Sequence, residues 1–163
     1  MAENLNYTIP GSFAYEGSGQ NASTYGRLYD WTTANTVCPS GWHLPTDPEW
    51  RQLEEFLGMD PAVASLDWYR GDNEGGMLKE QGTQLWDSPN AGANNITGFS
   101  ALPGGYRSPT GVFGGLRTHA GFWSSTGNAT GKAIYRALHT DKTKIGRDWY
   151  DKEYGFSVRC IKN

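Results

Sequence analysis

Cys38-Pro39-Ser40-Gly41-Trp42-His43-Leu44-Pro45-Thr46-Asp47-Pro48-Glu49-Trp50 is the stretch from which the fold can be read outward. Thr46 followed at i+3 by Glu49 is a capping box: the threonine hydroxyl accepts from the Glu49 amide, and the glutamate reaches back to the Thr46 amide. Asp47 and Glu49 add negative charge in the first turn, where the helix dipole favours it. Trp50, Leu53, Phe56 and Leu57 follow with helical period and form the predicted inner face, which leaves Glu54 and Glu55 on a solvated one. Leu44 or Pro45 can staple onto Trp50, and Gly58 stops a helix predicted over 46–57.

Upstream, Asn4 to Tyr7 reads as a strand, and the Gly/Ser/Asn-rich residues through Ser23 as a mobile loop. Tyr25 to Ala34 reads as a first short helix. Downstream, Asp60-Pro61 is a cap with proline at the first helical position, which predicts a short helix over Pro61–Leu66. Strands are predicted within 98–107, near 111–113, over 121–126, over 133–138 with half-buried alternation, and over 144–147. A closing strand over 154–161 puts Phe156, Val158 and Cys160 on one face. Helices followed by a strand- and loop-rich half predict an α+β domain spanning residues 1–163.

The 163 residues are enough for one domain that buries about 70% of its unfolded surface. Apolar content is a modest 37%, but seven tryptophans supply bulky core material. A formal charge of −3 argues against nonspecific nucleic-acid binding, and no apolar run is long enough to span a membrane. Cys38 and Cys160 read either as a disulfide joining the loop before the main helix to the last strand, or as two buried thiols.

Several motifs in order, CPSGWHLPTDPEW, GFSALPGGYR, FWSST and GFSVRCIKN, with the opening MAENLNY and YGRLYDWTTA, carry a resemblance to a known family. The chain resembles the Fibrobacter succinogenes major paralogous domain family, common in surface and secreted proteins of Bacteroidetes-type bacteria, from about residue 2 to residue 162. That resemblance implies a C-type-lectin-like fold, related to the formylglycine-generating branch, with a small, mostly antiparallel sheet and two main helices. It also implies that MAENLNY follows further chain carrying any export signal, so the expected location is extracellular or on the cell surface. Gly76 to Lys79 resembles a family segment that forms a short helix or turn beside the sheet.

A catalytic constellation is not apparent. His43, His119 and His139 fall in no metal-binding spacing, and His43 reads as structural, its ring bonding loop backbone. His139 is expected to be exposed. Ser124-Ser125 is no nucleophile elbow, and Cys160 lies in a predicted buried strand, so formylglycine-type thiol chemistry is not carried over. The expectation is a binding module and not an enzyme, with a structural adhesin or pilus module, or a formylglycine-type enzyme, as alternatives. No cofactor is expected, although Asp87, Asn90, Asn94 and Asn95 offer oxygens for either Ca²⁺ or Asx turns.

In lectin-like domains the outward side of the last strands and their loops recognises the ligand. Transferred to this chain, that face comprises Asn128, Lys132, Tyr135, Arg136, His139, Asp141, Lys144, Arg147, Asp148, Trp149 and Tyr150, directed at a protein or glycan. Trp149 and Tyr150 read as loop aromatics that either stack on a ligand or fold back over the sheet edge. Arg136 and Arg147 read as carboxylate ligands or as stems covering the sheet. Domains of this type, with FWSS before a variable stretch and GFSVRC after it, serve as targets of diversity-generating retroelements. The residues between Thr126 and Tyr154 would then be the diversified set.

Overall fold

A computed structural model describes Met1 and residues 3–163. Its first half holds β1 (Ser12–Phe13), a 3₁₀ turn (Tyr15–Gly17), α1 (Gly19–Tyr25), β2 (Leu28–Tyr29), α2 (Trp31–Ala34), β3 (Trp42–His43), α3 (Asp47–Phe56), α4 (Pro61–Ala64), β4 (Trp68–Arg70) and α5 (Glu74–Leu78). The second half is strands: β5 (Gly104–Arg107), β6 (Phe113–Leu116), β7 (His119–Gly127), β8 (Lys132–His139), β9 (Ile145–Asp151) and β10 (Ile161–Lys162). Six strands form one sheet in the order β4-β9-β8-β7-β5-β6, antiparallel except where β5 meets β7 at Gly105 and Ala120. Short ribbons β1-β2 and β3-β10 complete an α+β architecture.

The helix cap forms as its local chemistry dictates. Glu49 N donates to Thr46 Oγ1 at 3.3 Å, and Thr46 N donates to Glu49 Oε2 at 2.7 Å. Thr46→Ala is expected to cost about 1 kcal/mol, read as a shift in urea midpoint. An unchanged midpoint would mean that tertiary contacts alone hold this helix end.

The inner face of α3 differs from the periodic reading. Asp47, Trp50 and Glu54 are buried, whereas Phe56 is 86% exposed. Phe56 lies two residues, about 200° around the helix, from Glu54, so burying one face exposes the other. The carboxylates win because the sheet supplies partners: Arg136 Nε donates to Glu54 Oε1 at 2.6 Å and Arg136 Nη1 to Asp47 Oδ1 at 2.8 Å. Arg70 Nη2 donates to Glu54 Oε2 at 2.5 Å.

β8 is central and buried on both faces, not half-buried. Tyr135 and Ala137 face a core with Tyr29, Trp123, Phe156 and Val158. Leu138 faces a second core built on Trp50, Trp86, Phe122 and Ile145. Residues 155–160 are all buried, yet they do not form the expected long closing strand. They bridge Arg107, Tyr29 and Phe122 in turn and pair regularly only at Ile161–Lys162, with β3. Cys38 and Cys160 are joined by a disulfide.

Three further expectations near the N-terminus are corrected. The helix read over Tyr25–Ala34 is split, because Gly26 at φ 79° ends α1 and Asp30 Oδ1 caps a new helix by accepting from Thr33 N. A side chain at Gly26 would meet Asn4 Cβ at 2.6 Å, so the close approach also requires glycine. The segment read as a mobile loop holds β1, the 3₁₀ turn and α1, the last capped by Ser18. Asn4 to Tyr7 is extended without becoming a strand: Leu5 N donates to Val158 O and Leu5 O accepts from Arg27 N, each at 3.0 Å.

α4 and α5 fall where expected, α4 ending at Ala64. Lys79 follows α5 fully buried, its Nζ donating to the carbonyls of Ala91, His139 and Lys142 at 2.8–3.0 Å. It thereby ties the Asn-rich loop to the end of β8. The oxygens of that loop serve turns and pairs: Asn94 Oδ1 accepts from Ile96 N, Asn95 Oδ1 from Ser100 N, and Asp87 pairs with Arg117. Asn90 is buried, its amide donating to the carbonyls of Glu80 and Gly82. His43 is held by side chains and not by loop backbone, its ring nitrogens 2.6 Å from Asn163 Oδ1 and 2.9 Å from Glu49 Oε1.

Candidate functional site

Strand register explains where the molecule opens. Gly121, Ala137, Gly146 and Tyr69 are successive cross-strand neighbours on β7, β8, β9 and β4. Ala137 and Gly146 leave a trench in the sheet face, and Phe156 packs over Gly121 at its end. Taller side chains flank it, with Tyr135 and Asp148 aligned on one side and His119 and His139 on the other. Tyr106, Tyr150, Tyr154 and Phe156 complete the walls, and Trp68 and Arg147 also line a cavity of about 330 Å³. Gly146 keeps the trench deep, since a Cβ there would lie 3.0 Å from that of Ala137.

The rings brace one another. Tyr135 stacks on Phe156 at 4.7 Å between centroids and tilts against Tyr150 at 4.5 Å. Tyr150 meets Tyr154 edge-on at 5.1 Å, and His119 meets His139 edge-on at 5.3 Å. Such interlocking fixes rotamers before any ligand arrives, which lowers the entropic cost of binding. Trp68 departs from this order: it is 73% exposed and holds φ at 69° in the left-handed region, where a bulky residue is strained.

Burial governs the electrostatics of the titratable groups in the walls. Burial raises the Tyr135 phenol above its ordinary range, and the neighbouring Tyr150 adds to this. Burial also lifts Tyr69 to about 12 and, aided by His139, drops His119 to about 3, so His119 is neutral at physiological pH. Arg147 is tied elsewhere, donating to Asp47 at 2.9 and 3.0 Å and to Asp67.

The structure brings together Tyr135, His139, Arg147, Asp148 and Tyr150 from the expected binding face. His139 is partly buried here and lies 3.2 Å from exposed Asp141. Arg136 is a correction: it is wholly buried on the opposite face of β8 among Asp47 and Glu54, with no surface left for a ligand. Trp149 and Tyr150 lie in β9, not in a loop, and alternation sends half-buried Trp149 to the face away from Tyr150. Asn128 shapes the β7–β8 turn, its Oδ1 accepting from the amides of Thr130 and Lys132. Lys132 and Lys144 are exposed and line no part of the cavity.

Periodicity alone misses Trp68, Tyr69, Tyr106, His119, Tyr154 and Phe156, which come from other elements. One signal was present: the tripeptide Asp-Trp-Tyr occurs at 67–69 and again at 148–150. Trp68 and Tyr69 of the first copy lie on β4, and the second copy lies on its partner strand β9. Among the described residues, no group of three or more His, Cys, Asp or Glu side chains is arranged to hold a metal ion.

Fold and site together define an α+β domain with a braced aromatic cavity on its main sheet. The chain belongs to the Fibrobacter succinogenes major domain family, whose model matches residues 1–162. No curated protein and no solved structure is significantly similar to it.

Proposed function

We propose that this domain is a non-enzymatic ligand-binding module of C-type-lectin-like fold, carried by a secreted or surface protein of a Bacteroidetes-type bacterium or its phage. The observation that carries this reading is the open aromatic trench, with a strained and exposed Trp68 at its mouth. Strain in a bulky residue is retained where it serves a ligand clamp. A protein or glycan ligand would meet preorganised rings, with phenols, imidazole and Asp148 as hydrogen-bonding groups. The disulfide suits an oxidising, exported setting, and among the described residues no helix is long and apolar enough to cross a membrane. Against a thiol enzyme of the formylglycine type stands the engagement of both cysteines in that bridge.

Most of the lining falls between Thr126 and Tyr154, which supports the reading that retroelement-driven diversification would tune this cavity. That idea fails if related genes of one genome show no concentration of differences there.

The direct test is a glycan and surface-protein array probed with the wild type, Trp68→Ala and Ala137→Leu. Trp68 is exposed and Ala137 floors the trench, so one variant removes the rim and the other fills the cavity. Loss of an aromatic anchor of hot-spot quality is worth about 2 kcal/mol, roughly 30-fold in Kd. Thermal melts establish that each variant remains folded. Binding retained by both folded variants, or no binding by the wild type, would overturn this reading and favour a structural adhesin or pilus module.

A further inference from the structure

We propose that the cavity is a cage for an organic cation, an alkylammonium or guanidinium group held on tyrosine faces with Asp148 as counter-charge. The inference rests on the reading of this cavity as the ligand site. It begins with charge. Asp148 is the one carboxylate in the lining, and among the described residues no basic side chain pairs with it. Its Oδ1 accepts only from the amide of Trp149, at 2.7 Å. Arg147, the one guanidinium in the lining, is already neutralised by Asp47 and Asp67. Burial holds His119 neutral, and His139 leans on Asp141. An anion entering here would meet an unpaired carboxylate and no free cation.

The walls add to this field. Tyrosine and tryptophan rings present negative π faces that attract cations, most strongly where water is excluded. The protein already uses the interaction beside the cavity, with Lys142 Nζ lying 5.3 Å over the Tyr69 ring while paired with Asp141. A volume of about 330 Å³ falls at the small end for ligand pockets, suited to a head group or the end of one side chain. A neutral sugar could stack on the same rings and donate a hydroxyl to Asp148, but it lacks the charge–charge and cation–π attraction that an organic cation gains there.

Calorimetric titration of the wild type with choline, arginine amide and 3,3-dimethylbutan-1-ol, the neutral carbon isostere of choline, tests the cage. A cation is expected to bind at least about 10-fold more tightly than the isostere. Asp148→Asn, which keeps the acceptor for Trp149 N, is expected to erase that difference without moving the melting temperature. Preference for choline points to a small head group, and preference for arginine amide to a side chain of a protein ligand. Equal binding of choline and its isostere, undiminished cation binding by Asp148→Asn, or no cation binding at all overturns the cage. If array ligands still bind the wild type and are lost in Ala137→Leu, the cavity remains the ligand site and only its cation selectivity is refuted. Cation binding that survives Ala137→Leu places the cation outside the trench and refutes the inference on its own.

Discussion

Replacing Arg136 with methionine is expected to destabilise the fold by about 3–5 kcal/mol, because it leaves buried carboxylates short of their cation. Arg136 is fully buried at the centre of the main sheet and bonds both Glu54 and Asp47. Glu54, itself fully buried, would keep only Arg70, and Asp47 would lean on Arg147 and the i+4 contact of Arg51. The triple variant Arg136→Met/Glu54→Leu/Arg70→Met removes the charges together and is expected to recover most of that loss. Urea denaturation of both proteins decides the matter: a single variant no weaker than the triple would refute the network's role.

The same network sets an acid limb. Burial pushes the Asp47 carboxyl upward, but hydrogen bonds from Arg147 and the charge of Arg136 outweigh it and hold it below its ordinary value. A depressed carboxyl contributes stability above its unfolded value of about 4, and that contribution fades as pH falls through the folded value. Urea midpoints followed from pH 7 to low pH should therefore fall less steeply in Arg136→Met than in the wild type.

Loss of the Cys38–Cys160 bridge is the second large effect. The cysteines are 122 residues apart in sequence. In the chain-entropy account, opening a loop of that length costs about 5 kcal/mol. Cys38→Ser/Cys160→Ser should show this against the oxidised wild type in guanidinium titrations, and a reductant should weaken the wild type while leaving the variant unchanged. A difference below about 1 kcal/mol would mean that the unfolded chain is not restrained by the link in the assumed way.

Elements governed by neighbours along the chain are legible in the amino-acid sequence alone. The Thr46–Glu49 box and Gly58 define α3 because their partners lie within one turn. Period-two alternation marks β8, and Asp60-Pro61 marks α4, for the same reason. Five of the thirteen lining residues are legible too, since Tyr135, His139, Arg147, Asp148 and Tyr150 belong to adjacent hairpin strands. The Asp-Trp-Tyr repeat is visible in the sequence, but the pairing that brings its first copy to β9 is not, because the paired residues Arg70 of β4 and Ile145 of β9 stand 75 positions apart.

Burial of charge is where local reading stops. A helix pattern scores Glu54 as solvated and Phe56 as core, since it cannot know that Arg136 and Arg70 wait on the facing sheet. Once those partners exist, an ion pair can be buried and an exposed phenylalanine tolerated, so the face of α3 rotates. The trench has the same origin. Ala137 and Gly146 are unremarkable apart, and only strand register places these two small residues side by side beneath a ring of aromatics.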